Sequence, residues 1–269
     1  MTHWEFPGSD PIELDISLIA GDISVTGLPT DVITVSLEPT KPGRAGDEAV
    51  AAVRVEYSAG RLEIVQPKQS GFIRRHSTSF SLAVTVPAGS RCTVSSAATD
   101  VSCHGELGSL DVRNASGDVS AATVTGPVQV HTLSGQVRLD EAAAEVTAHS
   151  GSGDICLRRA GGNVIAQTAS GDIEIGTAGA SATARTASGS VRIASICAGT
   201  ADITTVSGDV YVGVAPGVGV YLDLGTVTGR ATSDLEPSDS GGDAELHIKG
   251  RTLSGSLNVA RAALADDHR

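Results

Sequence analysis

Five residues recur at one interval and carry side chains that could meet a ligand. They are Arg113, His131, His149, Gln167 and Arg185, each 18 residues after the last. Two imidazoles one repeat apart could share a metal ion, and a row of guanidinium and imidazole groups could hold an acidic sugar or a carboxylate. No third metal ligand is evident beside His131 and His149, and an ordinary solvated face accounts for the same residues. A second column is acidic: Asp100, Asp118, Asp154, Asp172 and Asp209. Calcium would draw several carboxylate and carbonyl oxygens from such a ladder. Gln136 and Ser190 interrupt it, however, and the calcium-roll pattern GGxGxD is absent. The plainer reading is that these carboxylates accept hydrogen bonds from turn backbone. Four cysteines, Cys92, Cys103, Cys156 and Cys197, form no CxxC pair and read as reduced thiols, with Cys103 in the core and Cys156 facing outward. The basic cluster Lys68, Arg74, Arg75 and His76 suits an acidic partner or a loop. The motifs GxSxG, HExxH and GxxxxGK[ST] are absent. No catalytic residue is therefore assigned, and no metal or cofactor is expected.

The elements that must position these residues repeat with the same period. Ser-Gly stands at 116, 134, 152, 170 and 188, then at 207 and 254. With that Ser as position 1, position 4 reads Val119, Val137, Ile155, Ile173 and Val191, and position 6 reads Ala121, Leu139, Leu157, Ile175 and Ile193. Positions 13 and 15 are apolar as well, as in Val128/Val130 and Val146/Ala148. Apolar residues two apart mark one face of a strand, so each unit holds two short strands. Gly at position 2 marks one turn, and small residues such as Gly126, Gly161 and Ala180 mark the other. A fixed period of this length means one supersecondary unit copied many times. We read it as a β-solenoid in which equal positions stack about 4.8 Å apart. A β-meander of hairpins is the other arrangement that fits. Aromatics make up 3% of the chain, as expected of a coil too thin to admit many rings. Position 17 (Asn114, Thr132, Ser150, Thr168, Thr186) reads as a stabilising polar ladder.

Three regions follow: 1–97, a β-rich segment capping the solenoid; 98–213, regular coils of about 18 residues and two strands; and 214–269, irregular final coils and a tail. The 269-residue chain carries a net charge of −12, which argues against nucleic acid and against an anionic membrane surface as partners. No apolar run is long enough for a bilayer crossing. Residues 1–10 lack the basic and apolar regions of a signal peptide, so a cytoplasmic location is expected.

The opening IELDISLIAGDISVTG, the strand AVTVPAG and the string of ASGDI and VSGDV units resemble the DUF4097 family. This is a bacterial family of β-strand repeats labelled "putative adhesin". The stretch from Tyr221 to Ala262 resembles its actinobacterial branch. The resemblance implies a fold of β-repeats and brings no catalytic residue set. The expected function is that of a non-enzymatic binding or scaffold module for an unidentified protein or polymer. A polysaccharide-binding or polysaccharide-cleaving solenoid and a self-assembling structural protein are the alternatives, and oligomeric state is left open.

Overall fold

The computed structural model describes residues 2–67, 79–235 and 245–262. The basic cluster Lys68, Arg74, Arg75 and His76 lies outside these residues, as do the tail 263–269 and most of the insertion near 233–243. The chain divides into two compact units, Met1–Val137 and Arg138–Arg269. Each is built from parallel β-coils, so the expected all-β solenoid is the fold of both.

The first unit contains β1 (Thr2–Pro7), β2 (Glu13–Leu28), β3 (Val32–Pro39), a helix α1 (Arg44–Ala52), β4 (Arg54–Ser58), β5 (Arg61–Val65), β6 (Phe80–Pro87), β7 (Arg91–Leu107), β8 (Ser109–Ser116), β9 (Val119–Val124) and β10 (Val128–Ser134). The parallel stacking begins at Glu13. β2 and β7 are long strands that turn a corner midway and stack in parallel from Glu13↔Arg91 to Gly27↔Gly105. The other edge of β2 carries β5 and then β6, both parallel to it. The earliest coil in sequence therefore lies between two later ones. Antiparallel strands cover the flank beyond: β4 on β5, β3 on β6 and β1 on β3. Such cover protects backbone groups that would otherwise invite pairing with another chain.

At the division β11 (Val137–Ala142) begins. The second unit continues with β12 (Val146–Ser152), β13 (Ile155–Ala160), β14 (Val164–Ser170), β15 (Ile173–Ala178), β16 (Ala182–Ser188), β17 (Val191–Ile196), β18 (Gly199–Ser207), β19 (Val210–Val214), β20 (Val220–Thr228), β21 (Ala231–Ser233), β22 (Leu246–Ser254) and β23 (Leu257–Arg261). Even-numbered strands from β12 form one wall and odd-numbered strands the other. Registers follow the 18-residue period: Val146↔Val164↔Ala182 on one wall and Ile155↔Ile173↔Val191 on the other. These columns are fully buried, because inward side chains of the two walls meet in a single thin layer. The coils do not end in sequence order. β18 pairs with β22 and β19 with β23, while β20 and β21 pair with the far edges of β22 and β23. The last segment of the described chain thus lies between two earlier coils, mirroring β2 in the first unit.

Candidate functional site

The Ser-Gly corner is the most regular chemical feature, and its parts explain one another. Gly171 has φ +154°, a region that L side chains rarely adopt, and a methyl group there would overlap the Gly153 carbonyl oxygen of the coil below. The next residue, Asp172, accepts a hydrogen bond from the Ser190 backbone N–H at 2.7 Å. Asp154 accepts from the Asp172 N–H at 2.9 Å, Asp100 from Asp118 at 2.9 Å, and Asp209 from Ser256 at 2.8 Å. Each carboxylate reaches the same position of the neighbouring coil. The acidic column is therefore a staircase of backbone caps, as the plainer reading anticipated. At the two interruptions the backbone still takes part: the Gln136 N–H donates to Asp118 at 2.8 Å and the Ser190 N–H to Asp172.

Position 17 lies inside the coil. Thr168, Thr186 and Thr205 are at most 6% exposed, and they donate at 3.1 Å to the carbonyls of Gly153, Gly171 and Gly189 respectively. Asn114 donates to Thr99 O at 2.7 Å. The side chains of this stabilising ladder bond to backbone carbonyls of the corners. They satisfy inward-pointing corner carbonyls, which would be costly to bury unpaired.

The ligand stripe is divided between the units. In the first, His131 registers with Arg113; in the second, His149, Gln167 and Arg185 occupy consecutive coils. Arg113, His131 and Arg185 are exposed, and His149 and Gln167 are half-buried. Both arginines already face acids: Arg113 lies 3.3 Å from Asp111 and Arg185 lies 3.5 Å from Asp202. Among the described residues no three His, Cys, Asp or Glu side chains converge as a metal site.

The opposite wall of the second unit carries a feature that the sequence reading missed. Arg138, Asp140, Cys156, Arg158 and Glu174 line a shallow groove of about 250 Å³ whose floor includes Gly176. Outer columns at positions 5 and 7 run along this wall, and the groove opens where Gly176 supplies no side chain. Continuing the column, Glu174 registers with Arg192 and Arg192 with Tyr211. The Arg192 guanidinium lies 4.6 Å from the Tyr211 ring centre, within cation–π range. The signal was present in the sequence, as a position-7 glycine beside charged position-5 residues, but outer columns have no apolar pattern to draw attention to them.

Parallel coils stacked with in-register outer columns make this a β-solenoid repeat protein. The chain belongs to the Toastrack DUF4097 family, whose profile matches residues 12–260. It is similar to a "putative adhesin" from Bacteroides fragilis, with 13% identity, 96% of each chain covered and a TM-score of 0.50. Two further similar structures are a "putative lipid binding protein" from Parabacteroides distasonis (16% identity, 96% of each chain, TM-score 0.44) and a "putative adhesin" from Parabacteroides merdae (11% identity, 96% of this chain and 95% of that one, TM-score 0.32). At these identities the first likeness shows the fold alone. No curated protein matches the chain. Among the described residues no helix is long and apolar enough to cross a membrane.

Proposed function

We propose that this chain is a non-enzymatic binding module that presents fixed columns of side chains to a protein or polymer partner. The carrying observation is the register of β13, β15 and β17 in the second unit, which stack residue on residue without a shift. Such a wall displays Cys156, Glu174 and Arg192 in line, one strand spacing apart, and a partner with its own repeat can meet several contacts at once. Family membership supports a binding role. The paired state of Arg113 and Arg185 gives the other wall less free positive charge to offer an acidic glycan. Cross-linked capture from the native cells, with cytosolic and envelope fractions kept apart, tests this reading. An R192A/Y211A variant should lose the partner, and a partner retained at full yield by that variant and by H131A/H149A would refute side-chain recognition by these columns.

Self-assembly is a second reading with its own observation. β20 pairs with β22 along one edge, and the described residues place no strand on its other edge. At equivalent corner positions Val227 of β20, Leu253 of β22 and Val206 of β18 are 76%, 52% and 49% exposed. A concentration series in the analytical ultracentrifuge, repeated with Val227→Lys, reads this out: assembly should appear and then be lost in the variant. A monomer at every concentration removes the reading.

A further inference from the structure

We propose that Cys92 and Cys103 form a modification site: a disulfide that bridges the two walls of the β7 coil from within. β7 runs up one wall to a corner near Ala98 and returns along the other. Its inward residues then face each other in pairs equidistant from the corner, Val94 with Val101 and Cys92 with Cys103. The coil below repeats the arrangement, with Leu14 registering with Cys92 and Val25 with Cys103. On the other side Leu110 and Ala121 hold the same places. Two thiols thus replace what is otherwise a pair of apolar side chains meeting across the core. Cys92 is fully buried and Cys103 is 3% exposed. The neighbouring Cys103 side chain, together with burial, holds the Cys92 thiol well above its usual pKa. Both side chains are thus shielded from reagents in the solvent.

The chemistry follows from that shielding. Only a thiolate attacks a disulfide, so the folded coil resists oxidation and the bond forms while the coil is open. The oxidant is a small disulfide of the glutathione class. One cysteine thiolate attacks it, releasing one reduced glutathione and leaving a mixed disulfide. The second cysteine displaces the other glutathione. Two cysteine S–H bonds and one S–S bond are lost, one protein S–S bond forms, and two electrons and two protons leave on the two glutathione molecules. The oxidised coil is covalently closed, and the reduced coil is held by packing alone.

The test uses the full chain carrying Cys156→Ser and Cys197→Ser, so that only this pair can react. It is unfolded, then refolded in mixed reduced and oxidised glutathione. The expected product is about 2 Da lighter, the two hydrogens lost, and has a higher Tm that falls when a reductant is added. Trypsin leaves both cysteines in one peptide from Cys92 to Arg113. Cleavage before its aspartates, Asp100 and Asp111, should then place the two cysteines on separate pieces that part only on reduction. A refolded protein that still alkylates at both thiols once denatured, that retains glutathione, or whose cross-link lowers Tm, overturns the proposal. Each of those outcomes means that the pair cannot close in the native coil without strain.

Discussion

At the scale of the residue, the Ser-Gly corner makes the sharpest demands. Gly171→Ala meets both a positive φ and the carbonyl of the coil below, and should cost about 2 kcal/mol or more. Gly217 also has positive φ, +81°, but has no heavy atom within 4 Å of where a Cβ would stand. Gly217→Asn should therefore cost under about 1 kcal/mol. Thermal unfolding of the two variants separates close approach from dihedral preference. At the next position, Asp172→Asn keeps the acceptor for the Ser190 N–H and should be nearly neutral, whereas Asp172→Ala should lose about 1 kcal/mol. The same midpoints should be unmoved by a chelator, since these carboxylates already serve backbone donors. The corner was legible in advance because glycine recurs wherever the chain must take this conformation. The bonds of Thr168 and Thr186 to corner carbonyls were less so, because an alternating pattern shows which side a residue takes but not which carbonyl needs a donor.

Elements succeed here through the smallness of what they bury. Ala182 and Ala184 of β16 are fully buried and register with Val164 and Ala166 below and Ala201 and Ile203 above. Walls this close leave no space for a longer side chain, and Ala184→Leu should destabilise by about 1–3 kcal/mol through overpacking. Denaturant unfolding would read this as a lower midpoint with an unchanged slope. The outermost pairing of the second unit has an electrostatic component as well. Arg251 of β22 donates to the Asp223 carboxylate of β20 at 2.6 Å, which lowers that carboxyl from its ordinary 3.8. A depressed folded pKa stabilises at pH values above the unfolded one and is lost as pH falls through the folded one. Acid below about pH 3.8 should thus loosen β20 from β22, and Arg251→Ala should return the Asp223 titration, followed by NMR, to the ordinary range. The strands themselves were readable from their apolar columns. The order in which they stack was not, since β20 and β22 carry equally good patterns and neither states its neighbour.

For the whole molecule, that order has measurable effects. A chain ending at residue 244 lacks β22 and β23, the strands with which β20 and β21 pair. Hydrogen exchange should then show residues 220–233 losing protection while 146–196 keep theirs. Retained protection at 220–233 would mean that the terminal coil can rest directly on β18 and β19. A chain ending at residue 262 should match the full-length protein in this assay. The period of the coils was legible from spacing. The division at Val137 was not, because the 18-residue rhythm runs through it without a break. The late insertion of β22 and β23 also bears on how the protein is made. A ribosome releases residues 220–233 before 246–261, so the former wait without their partners until the latter emerge. A nascent chain would meanwhile display that orphaned coil to chaperones and proteases, and the emergence of residues 246–261 is the event that hides it.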